Sequence, residues 1–225
     1  MFKDLQVVEL AGVLAGPAVG AFFFFFGATV IKVENPGTNG DVTRHWKLPS
    51  EDPNSNTSAY FATVNYKKNH IFLNYNDADD LQRIYGLIRR ADVVICNWKK
   101  GDGERFKLDY DTVYNIKPDI IYANINSFGE EEDRVAFDVV LQAETGWMYM
   151  NGSPSSPPTK LPVAIIDLFA AHQLKEGVLT ALIKKLKTGK GSKVTVSLFD
   201  VAVSSLANQA ANFLHTGKIP ERIGS

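Results

Sequence analysis

Short apolar segments and amphipathic segments alternate along the first half of the chain. Segments rich in β-branched residues predict strands, and apolar residues at helical spacing predict helices. The predicted strands are residues 6–10, 29–33, 70–73, 93–96, 120–125 and 193–197. The predicted helices are residues 17–26, 78–90, 110–116, 138–148, 168–187 and 199–215. Strands that alternate with helices are typical of βαβ units, so the pattern predicts an α/β fold with a mainly parallel sheet.

Residues 11–31 carry no charge, and this run of 21 residues includes five consecutive phenylalanines at 22–26. A run of that length could cross a bilayer. It also contains four glycines and Pro17, and both of its ends merge into predicted strands. A buried strand, helix, strand unit has the same hydropathy, so we expect a buried helix with all five rings covered, and no membrane partner. Asp4 and Glu9 stand where a signal peptide would carry basic residues, which argues against secretion.

The composition is that of a packed protein, with 45% hydrophobic and 22% charged residues in a chain of 225. It excludes intrinsic disorder. Lysine and arginine total 24 against 25 acidic residues, so a net charge of −1 gives no general attraction for nucleic acid, and any anion site must be local. Cys96, the single cysteine, can form no internal disulfide and has no neighbouring ligands for zinc. We therefore expect no metal, no nucleic-acid partner and a cytoplasmic location.

Two polar stretches interrupt the pattern. Residues 36–58 are rich in Asn, Pro and Gly without either period, and they predict a long functional loop. Residues 151–162 contain four prolines and three serines, and they predict an ordered connection rather than a domain linker. The turn after the first strand carries Gly12, Gly16 and Gly20, which match neither G-x-G-x-x-G nor a Walker loop. Close helix packing explains these glycines at least as well as ligand contact.

Asp167 is the most informative carboxylate. It follows the apolar run 163–166, which we interpret as a strand, and it precedes a long predicted helix. One interpretation is a helix N-cap, a role that aspartate commonly fills. The other is a functional carboxylate at the carboxyl edge of the sheet, where open α/β sheets bind ligands. The two interpretations are compatible, and position alone does not choose between them.

Basic residues cluster at 67–68 and again around Trp98. The cations that follow this tryptophan are Lys99, Lys100 and Arg105. An indole on which adenine can stack, beside cations that can hold phosphate, suits a phosphorylated adenine nucleotide. Solvated surface turns are the competing explanation.

Ten longer blocks follow one another along nearly the whole chain. They are VLAGP at 13–17, GATVIKVENP at 27–36, GDVTR at 40–44, NYKKNHIFL at 65–73, ADVVICNW at 91–98, KPDIIYANINSFG at 117–129, FDVVLQAETG at 137–146, AIIDLFAA at 164–171, TGKGSKVTVSLFD at 188–200 and GKIPERIG at 217–224. Together they resemble the family III CoA-transferases, which include formyl-CoA and carnitine CoA-transferases and the related α-methylacyl-CoA racemases. Ten ordered blocks are more specific than any single motif.

The resemblance implies a Rossmann-like, mainly parallel sheet with helices on both faces, and it implies coenzyme A or acyl-CoA as substrate. It assigns Asp167 as the catalytic aspartate, which attacks an acyl-CoA thioester to give a mixed anhydride and then forms an aspartyl-CoA thioester before the acceptor acid is acylated. The positions that match CoA contacts in the family are Leu14, Leu73, Asn97, Trp98, Arg105, Phe106 and Asn126. Trp98 is expected near adenine and Arg105 near phosphate.

Three functions remain open at this point. Acyl transfer is the first. The second is racemisation, for which the family's racemases place a histidine before the aspartate that matches Asp138. This chain has Phe137 there, which carries no proton, so Asp138 is expected to be a helix cap. The third is a non-catalytic CoA-binding module or fragment, for which the greater length of family members is the supporting observation.

Family members add a small second domain and interlock as ring dimers. The resemblance therefore implies that residues 1–225 are a single CoA-binding large domain, with the second domain absent and the two-domain ring incomplete. The expected partners are acyl-CoA, a carboxylic acid, and either a second copy or a complementary C-terminal chain. One departure from the family is the acidic run at 130–133, which we expect to face solvent because it would repel an anionic ligand.

Overall fold

The structure is a computed structural model that describes residues 1–222. Its sheet has six strands, all parallel, in the order β3-β2-β1-β4-β5-β6. The strands are β1 Gln6–Glu9, β2 Thr29–Glu34, β3 Asn69–Phe72, β4 Val93–Cys96, β5 Ile121–Asn126 and β6 Ser192–Ser197. The α/β fold and the six strands predicted above are confirmed, with each end within one residue. The end of the block at 217–224, and Ser225, lie outside the described residues.

The strand order determines where a ligand can reach the sheet. β1 lies at the centre, with β2 and β3 on one side and β4, β5 and β6 on the other. The chain therefore builds outward from β1 in one direction and then crosses back to build in the other. This reversal leaves a crevice beyond the carboxyl ends of β1 and β4, which is where open sheets of this order bind ligands.

Helices cover both faces of the sheet. One face packs against α1 Ala15–Phe25, α8 Ile165–Thr188 and α9 Leu198–Ser204, and the other against α3 Ala78–Ile88 and α5 Tyr110–Ile116. The remaining helices are α2 Ala59–Asn65, α4 Asp102–Arg105, α6 Asp138–Glu144, α7 Trp147–Met150 and α10 Asn208–Thr216. Successive strand residues point to opposite faces, so Val94 lies in one apolar core and Ile95 in the other.

Two of the predicted helices are interrupted. The prediction at 138–148 is divided by Gly146, with φ 90°, between α6 and α7. The prediction at 199–215 is divided at Ala207, with φ 48°, between α9 and α10. Glycine adopts the left-handed region readily, whereas alanine does not, so only the first interruption has a local cause in the sequence.

The expected strand at 163–166 is wrong, because α8 already begins at Ile165. Buried side chains recur at helical spacing along the face that packs on the sheet: Ile166, Ala170, Leu174 and Val178. A spacing of four residues places these side chains on one helix face. The period of an apolar run only four residues long does not distinguish the start of such a helix from a strand.

The five phenylalanines belong to the end of α1, which packs against the sheet and α8. Phe23 is fully buried, whereas Phe25 is 69% exposed and Phe26 is 46% exposed. The buried helix is confirmed, but the expectation that all five rings are covered is wrong for the last two, because α1 ends there. None of the helices within residues 1–222 has both the length and the hydropathy needed to cross a bilayer.

Four buried charged residues beside α1 form a group that we call the ion cluster: Glu9, Lys32, Asp41 and Lys68. The Glu9 carboxylate pairs with the ammonium of Lys32 at 3.1 Å and with that of Lys68 at 2.7 Å. Lys32 also pairs with Asp41 at 3.1 Å, so two cations balance two anions. The interpretation of residues 67–68 as an anion-binding cluster is therefore wrong for Lys68, whose charge is paired inside the protein.

Gly16 and Gly20 allow α1 to approach β1 closely. A Cβ atom at Gly20 would overlap Oε2 of Glu9, and one at Gly16 would overlap the Cβ of Ala11. Close packing therefore explains these two glycines, as expected from their spacing. Gly12 has more room, since its nearest neighbour would be Oδ2 of Asp41 at 3.4 Å.

Gly20→Ala is expected to lower the free energy of unfolding by more than about 2 kcal/mol, because the added methyl group would displace the Glu9 carboxylate from its lysines. Gly86→Ala is the matched control. Gly86 lies inside α3 with no atom within 4 Å of an added Cβ, so that substitution should increase stability by about 0.5–1 kcal/mol. Urea unfolding followed by circular dichroism measures both variants. Equal effects would contradict the close packing against Glu9.

Candidate active site

Asp167 lies in the first turn of α8, three residues after the N-cap position, Ala164. Its side chain is therefore not the helix cap, and that interpretation is wrong. The carboxylate of Asp138, at the start of α6, instead accepts hydrogen bonds from the backbone N–H of Ile166 at 2.6 Å and of Asp167 at 3.2 Å. Asp138 is thus a helix cap, as expected, but it caps the neighbouring helix α8 rather than its own.

Two cavities meet at Asp167. The first cavity, of about 420 Å³, extends over the carboxyl ends of three strands and is lined by residues at those ends, Gly12, Asn97 and Asn126. The second cavity, of about 620 Å³, is lined by α2, α6 and the start of α8. Val13, Phe137 and Asp167 line both cavities. The Asp167 carboxyl therefore reaches the crevice created by the strand order, although the segment directly before it is not a strand.

The surroundings of Asp167 favour its neutral form. The residue is only 8% exposed. Burial, and to a smaller extent the negative charge of Asp138, raises the pKa of Asp167 to about 7. Burial has this effect because an ionised carboxyl loses the water that would solvate it. Near neutral pH the group is divided between acid and carboxylate, and its carboxylate is more basic than that of an ordinary aspartate.

An aromatic wall bounds the second cavity. Trp46 and Tyr60 have ring centroids 5.1 Å apart, and Trp46 is 6.2 Å from the ring of Phe137. Burial, together with the charges of Asp167 and Asp138, raises the pKa of Tyr60, so its hydroxyl stays protonated at neutral pH. Trp46 lies in the polar loop predicted at 36–58, but no pattern in the sequence distinguishes either aromatic residue. Nothing local distinguishes Tyr60, since its position results from the packing of α2 on α1.

Val13 lies between the two cavities in a strained conformation. Its φ of 69° is in the left-handed region, which β-branched residues rarely adopt. The Asp41 carboxylate accepts a hydrogen bond from the Val13 N–H at 3.1 Å. Because Asp41 also pairs with Lys32, the ion cluster holds this strained turn next to Asp167.

Another part of the first cavity carries the indole and the cations that the sequence analysis singled out. Trp98, Lys99 and Lys100 line it together with Asn126. Nδ2 of Asn126 is a buried donor without an acceptor anywhere in residues 1–222. Buried donors are rarely left unpaired, so this atom suits an acceptor on a bound molecule.

Acidic residues lie at the mouth of the first cavity. The run at 130–133 is exposed, as expected, and Glu130 pairs with Lys193 at 2.6 Å, but Glu132 also lines the first cavity, where no negative charge was expected. Lys100 lies 3.6 Å from the carboxylate of Asp133 at the cavity rim. Throughout the described part of the chain, no three His, Cys, Asp or Glu side chains are grouped as a metal site would require.

Comparison with known proteins shows the family. The model described as CoA-transferase family III matches residues 2–225. The chain belongs to CoA-transferase family III. The succinate–glutarate CoA-transferase of Agrobacterium fabrum is 36% identical, over 99% of this chain and 57% of its own length. The acetyl-CoA:oxalate CoA-transferase of Acetobacter aceti is 34% identical, over 100% of this chain and 57% of its own length.

A solved structure of a similar protein has the same fold. The crystal structure of a CAIB/BAIF family protein from Brucella suis aligns with a TM-score of 0.90 at 37% identity, over 99% of this chain and 59% of that one. The chain therefore spans between about half and three-fifths of the length of the relatives that it matches.

The residues that the sequence resemblance predicts as CoA contacts are distributed unevenly in this structure. Asn97, Trp98 and Asn126 line the first cavity, and Leu14 lines the second. Leu73 follows β3 and is fully buried in the core beneath α3, so its side chain reaches neither cavity. The structure thus brings four of these residues to the crevice and leaves the side chain of Leu73 away from it.

Asn97, Arg105 and Phe106, three of these predicted contact residues, also have partners within the protein. The amide of Asn97 accepts from the Gly12 N–H at 3.0 Å and donates to the Gly12 carbonyl at 3.1 Å, which joins the turns after β1 and β4. Arg105 pairs with Asp102 at 2.9 Å, and its guanidinium lies 4.3 Å from the centroid of the Phe106 ring. Phe106 packs on Trp98, which lines the first cavity, whereas Arg105 and Phe106 themselves lie beside that cavity and not in its lining.

Asp167→Asn is expected to change how stability depends on pH. An unperturbed aspartate titrates near 3.9, so wild-type protein loses stability as pH rises from there through about 7, where the buried group ionises. The loss should be on the order of 2–4 kcal/mol by pH 8. The Asn variant lacks this ionisation and should be the more stable protein at pH 8, as measured by urea unfolding at pH 5 and pH 8.

Asp200→Asn provides the control for this measurement. Asp200 occupies the corresponding position in the first turn of α9 but is exposed, so its replacement should leave the pH dependence unchanged. An Asp167→Asn variant with the same pH dependence as wild type would show that Asp167 titrates normally.

Proposed function

We propose that this chain carries the nucleophile and the CoA-binding surface of a CoA-transferase that moves CoA from one carboxylic acid to another. The observation that supports this most directly is the buried carboxyl of Asp167, which has a pKa of about 7 and opens into two cavities. CoA exchange requires a nucleophile that the CoA thiol and the acid can approach in turn. A carboxyl at the junction of two cavities meets that requirement.

Each step of the proposed reaction exchanges one bond. A carboxylate oxygen of Asp167 attacks the thioester carbon of acyl-CoA, so that a C–O bond forms, the C–S bond breaks and CoA leaves as the thiolate. The thiolate then attacks the Asp167 carbonyl carbon of the mixed anhydride, which gives aspartyl-CoA thioester and releases the first acid. The acceptor carboxylate runs the same two steps in reverse and restores Asp167. No net proton is consumed, so one carboxylate supplies the covalent chemistry.

The features of the two cavities suggest which part of the substrate each one binds. In the first cavity the Trp98 indole can stack on adenine, Lys99 and Lys100 can balance phosphate, and the unpaired Nδ2 of Asn126 can donate a hydrogen bond to CoA. The second cavity, with its aromatic wall, then receives the acyl group and the free acid. Asp167 lies where the thioester between the two parts would be.

The acids exchanged are, in this proposal, short dicarboxylates. The similar transferases described above are named for succinate, glutarate and oxalate. Lys160 lines the second cavity and supplies a cation that could pair with a second carboxylate of the substrate. The whole enzyme also includes more than this chain, because the similar proteins are longer. Residues 1–225 act as its CoA-binding domain in the cytoplasm, completed by a second copy or by a complementary C-terminal chain.

Racemisation is disfavoured because it needs two acid–base groups on opposite sides of the substrate's α-carbon. Phe137 shares both cavities with Asp167 and can carry no proton. A non-catalytic CoA-binding module would bind CoA without forming a covalent adduct, so the two experiments below separate it from a transferase.

Incubation of the chain with succinyl-CoA is expected to give a covalent adduct at Asp167, carrying either the acyl group or CoA. Hydroxylamine should release the adduct because anhydrides and thioesters are activated acyl groups. The rate of its formation should rise with pH through about 7, as the carboxylate form of Asp167 becomes populated. Intact-protein and peptide mass spectrometry locate the adduct.

Asp167→Asn should abolish the adduct, since a carboxamide is not a nucleophile, whereas Asp200→Asn should retain it. An adduct that persists in Asp167→Asn, or that maps to Asp138, would contradict the assignment. CoA binding with no adduct in the wild-type chain would favour the non-catalytic module.

In this proposal the Arg105 guanidinium, beside the first cavity, exchanges Asp102 for a CoA phosphate. Arg105→Ala is therefore expected to weaken CoA binding about 10- to 150-fold, on the order of 1.5–3 kcal/mol, because one charge-assisted contact to phosphate is lost. Lys187→Ala should have little effect, since Lys187 lies at the far end of α8. Isothermal titration calorimetry with CoA in moderate salt measures both. Equal losses of affinity would indicate a diffuse basic surface instead of a defined site.

A further inference from the structure

We propose that Asp138 and Gln142 form a clamp that holds the start of α8 and thereby positions the Asp167 side chain between the two cavities. Both are residues of α6, one helical turn apart, and both are buried. They are positioning residues, since they act on Asp167 rather than on the substrate. Their role in catalysis rests on the proposed function above.

The first part of the clamp replaces a missing helix cap. The first N–H groups of an α-helix have no partners within the helix, and a side chain at the N-cap commonly accepts from them. The N-cap of α8 is Ala164, which has no side-chain acceptor. Asp138 provides it from the neighbouring helix, with one carboxylate oxygen that accepts from Ile166 and from Asp167 itself. The backbone of the proposed nucleophile is therefore hydrogen-bonded directly to α6.

The second part of the clamp holds the segment that leads into α8. Oε1 of Gln142 accepts from the Leu161 N–H at 2.8 Å, and Nε2 donates to the Val163 carbonyl at 3.3 Å. The same Nε2 also donates to the other carboxylate oxygen of Asp138. Gln142 is only 1% exposed, so its amide has no competing water. The two side chains thus attach the proline-rich residues 157–164, which we call the approach segment, and the first turn of α8 to one face of α6.

The consequence for the site is both geometric and electrostatic. A displacement of about 1 Å in a reacting group can cost on the order of 100-fold in rate, so the clamp matters if Asp167 is the nucleophile. Asp138 also brings a negative charge near the Asp167 carboxyl, which adds to the effect of burial on its pKa.

The other titratable groups of the second cavity are Tyr60, from α2, and Lys160, from the approach segment. Those of the first cavity are Lys99, Lys100, Asp102, Glu132 and Arg134.

Three variants of the 225-residue chain separate position from charge. Asp138→Asn keeps one capping oxygen for α8, because asparagine caps about as well as aspartate, but it removes the charge and the oxygen that accepts from Gln142. Asp138→Ala removes the capping oxygen as well. Gln142→Ala keeps the charge and releases the approach segment. Asp77 is the matched control: it caps α3 by accepting from the N–H groups of Asp79 and Asp80, and it is exposed and remote from Asp167.

Two measurements need no substrate. Carbon-13 NMR of labelled aspartate carboxyls gives the pKa of Asp167, which should fall in both Asp138 variants and stay near its wild-type value in Gln142→Ala. Hydrogen exchange gives the protection of the Asp167 N–H. We expect exchange at least about 10-fold faster in Asp138→Ala and Gln142→Ala, about 3-fold or less in Asp138→Asn, and no change in Asp77→Asn or Asp77→Ala.

The third measurement is the rate of adduct formation with succinyl-CoA. We expect a reduction of about 10- to 100-fold in the pH-independent rate for Asp138→Ala and Gln142→Ala, with the concentration of succinyl-CoA at half-maximal rate within about 3-fold of wild type. Asp138→Asn should keep the same pH-independent rate of adduct formation but reach it at lower pH. Unchanged N–H protection in both Asp138→Ala and Gln142→Ala would overturn the clamp. Absence of an adduct in wild type would overturn the proposed function, while the NMR and exchange results would still decide the clamp.

Discussion

Removing Glu9, Lys32, Asp41 and Lys68 from water costs several kcal/mol for each ion, and their mutual pairing, together with hydrogen bonds to neighbouring backbone and side-chain groups, offsets that cost. The pairing joins β1 to β2, to the turn before β3 and to the loop that carries Asp41. It also explains why α1 must present a glycine to Glu9 and why Val13 can remain in a left-handed conformation. The strained turn between the two cavities is stabilised by its hydrogen bond to Asp41 in the ion cluster, because its own backbone preference does not favour that conformation.

The same reliance on neighbours applies to Asp167. Burial of its carboxyl destabilises the folded state at neutral pH, because the ionised form is poorly solvated. The long helix α8 offsets that cost through the apolar face that it packs on the sheet. Asp138 then fixes the first turn of α8 in place, although a second carboxylate so near makes ionisation of Asp167 less favourable still. Stability is thus given up at the position where the proposed reaction needs a basic carboxylate.

The order of the strands brings these parts together. Because the sheet builds outward from β1 in both directions, the turns after β1 and β4 diverge, and the Asn97 amide joins them across the crevice. The two cavities open on either side of the Val13 turn, and Asp167 reaches both from the helix layer. A carboxylate supplied by a helix, rather than by a strand end, can therefore face the ligand crevice and the aromatic wall at once.

Local pattern in the sequence was sufficient for the strands and for most of the helices, and it marked Asp167 as a candidate without choosing between its two interpretations. Short apolar segments with β-branched residues specify strands through their own backbone preferences and burial. The ordered motifs around VLAGP and AIIDLFAA were sufficient to indicate the family. These features depend on residues close together in the chain, so the sequence expresses them directly.

Tertiary structure decided what depends on residues far apart. Lys68 resembles a surface cation in the sequence, yet it is buried because Glu9, 59 positions earlier, pairs with it. Asp138 resembles a cap for its own helix, yet its carboxylate serves a helix that begins 27 residues later, at Ile165. Trp46 and Tyr60 became site residues only because α2 packs on α1. In each case the partner is brought near by the packing of layers, and the energy of burial, pairing or capping has no counterpart in the local sequence pattern.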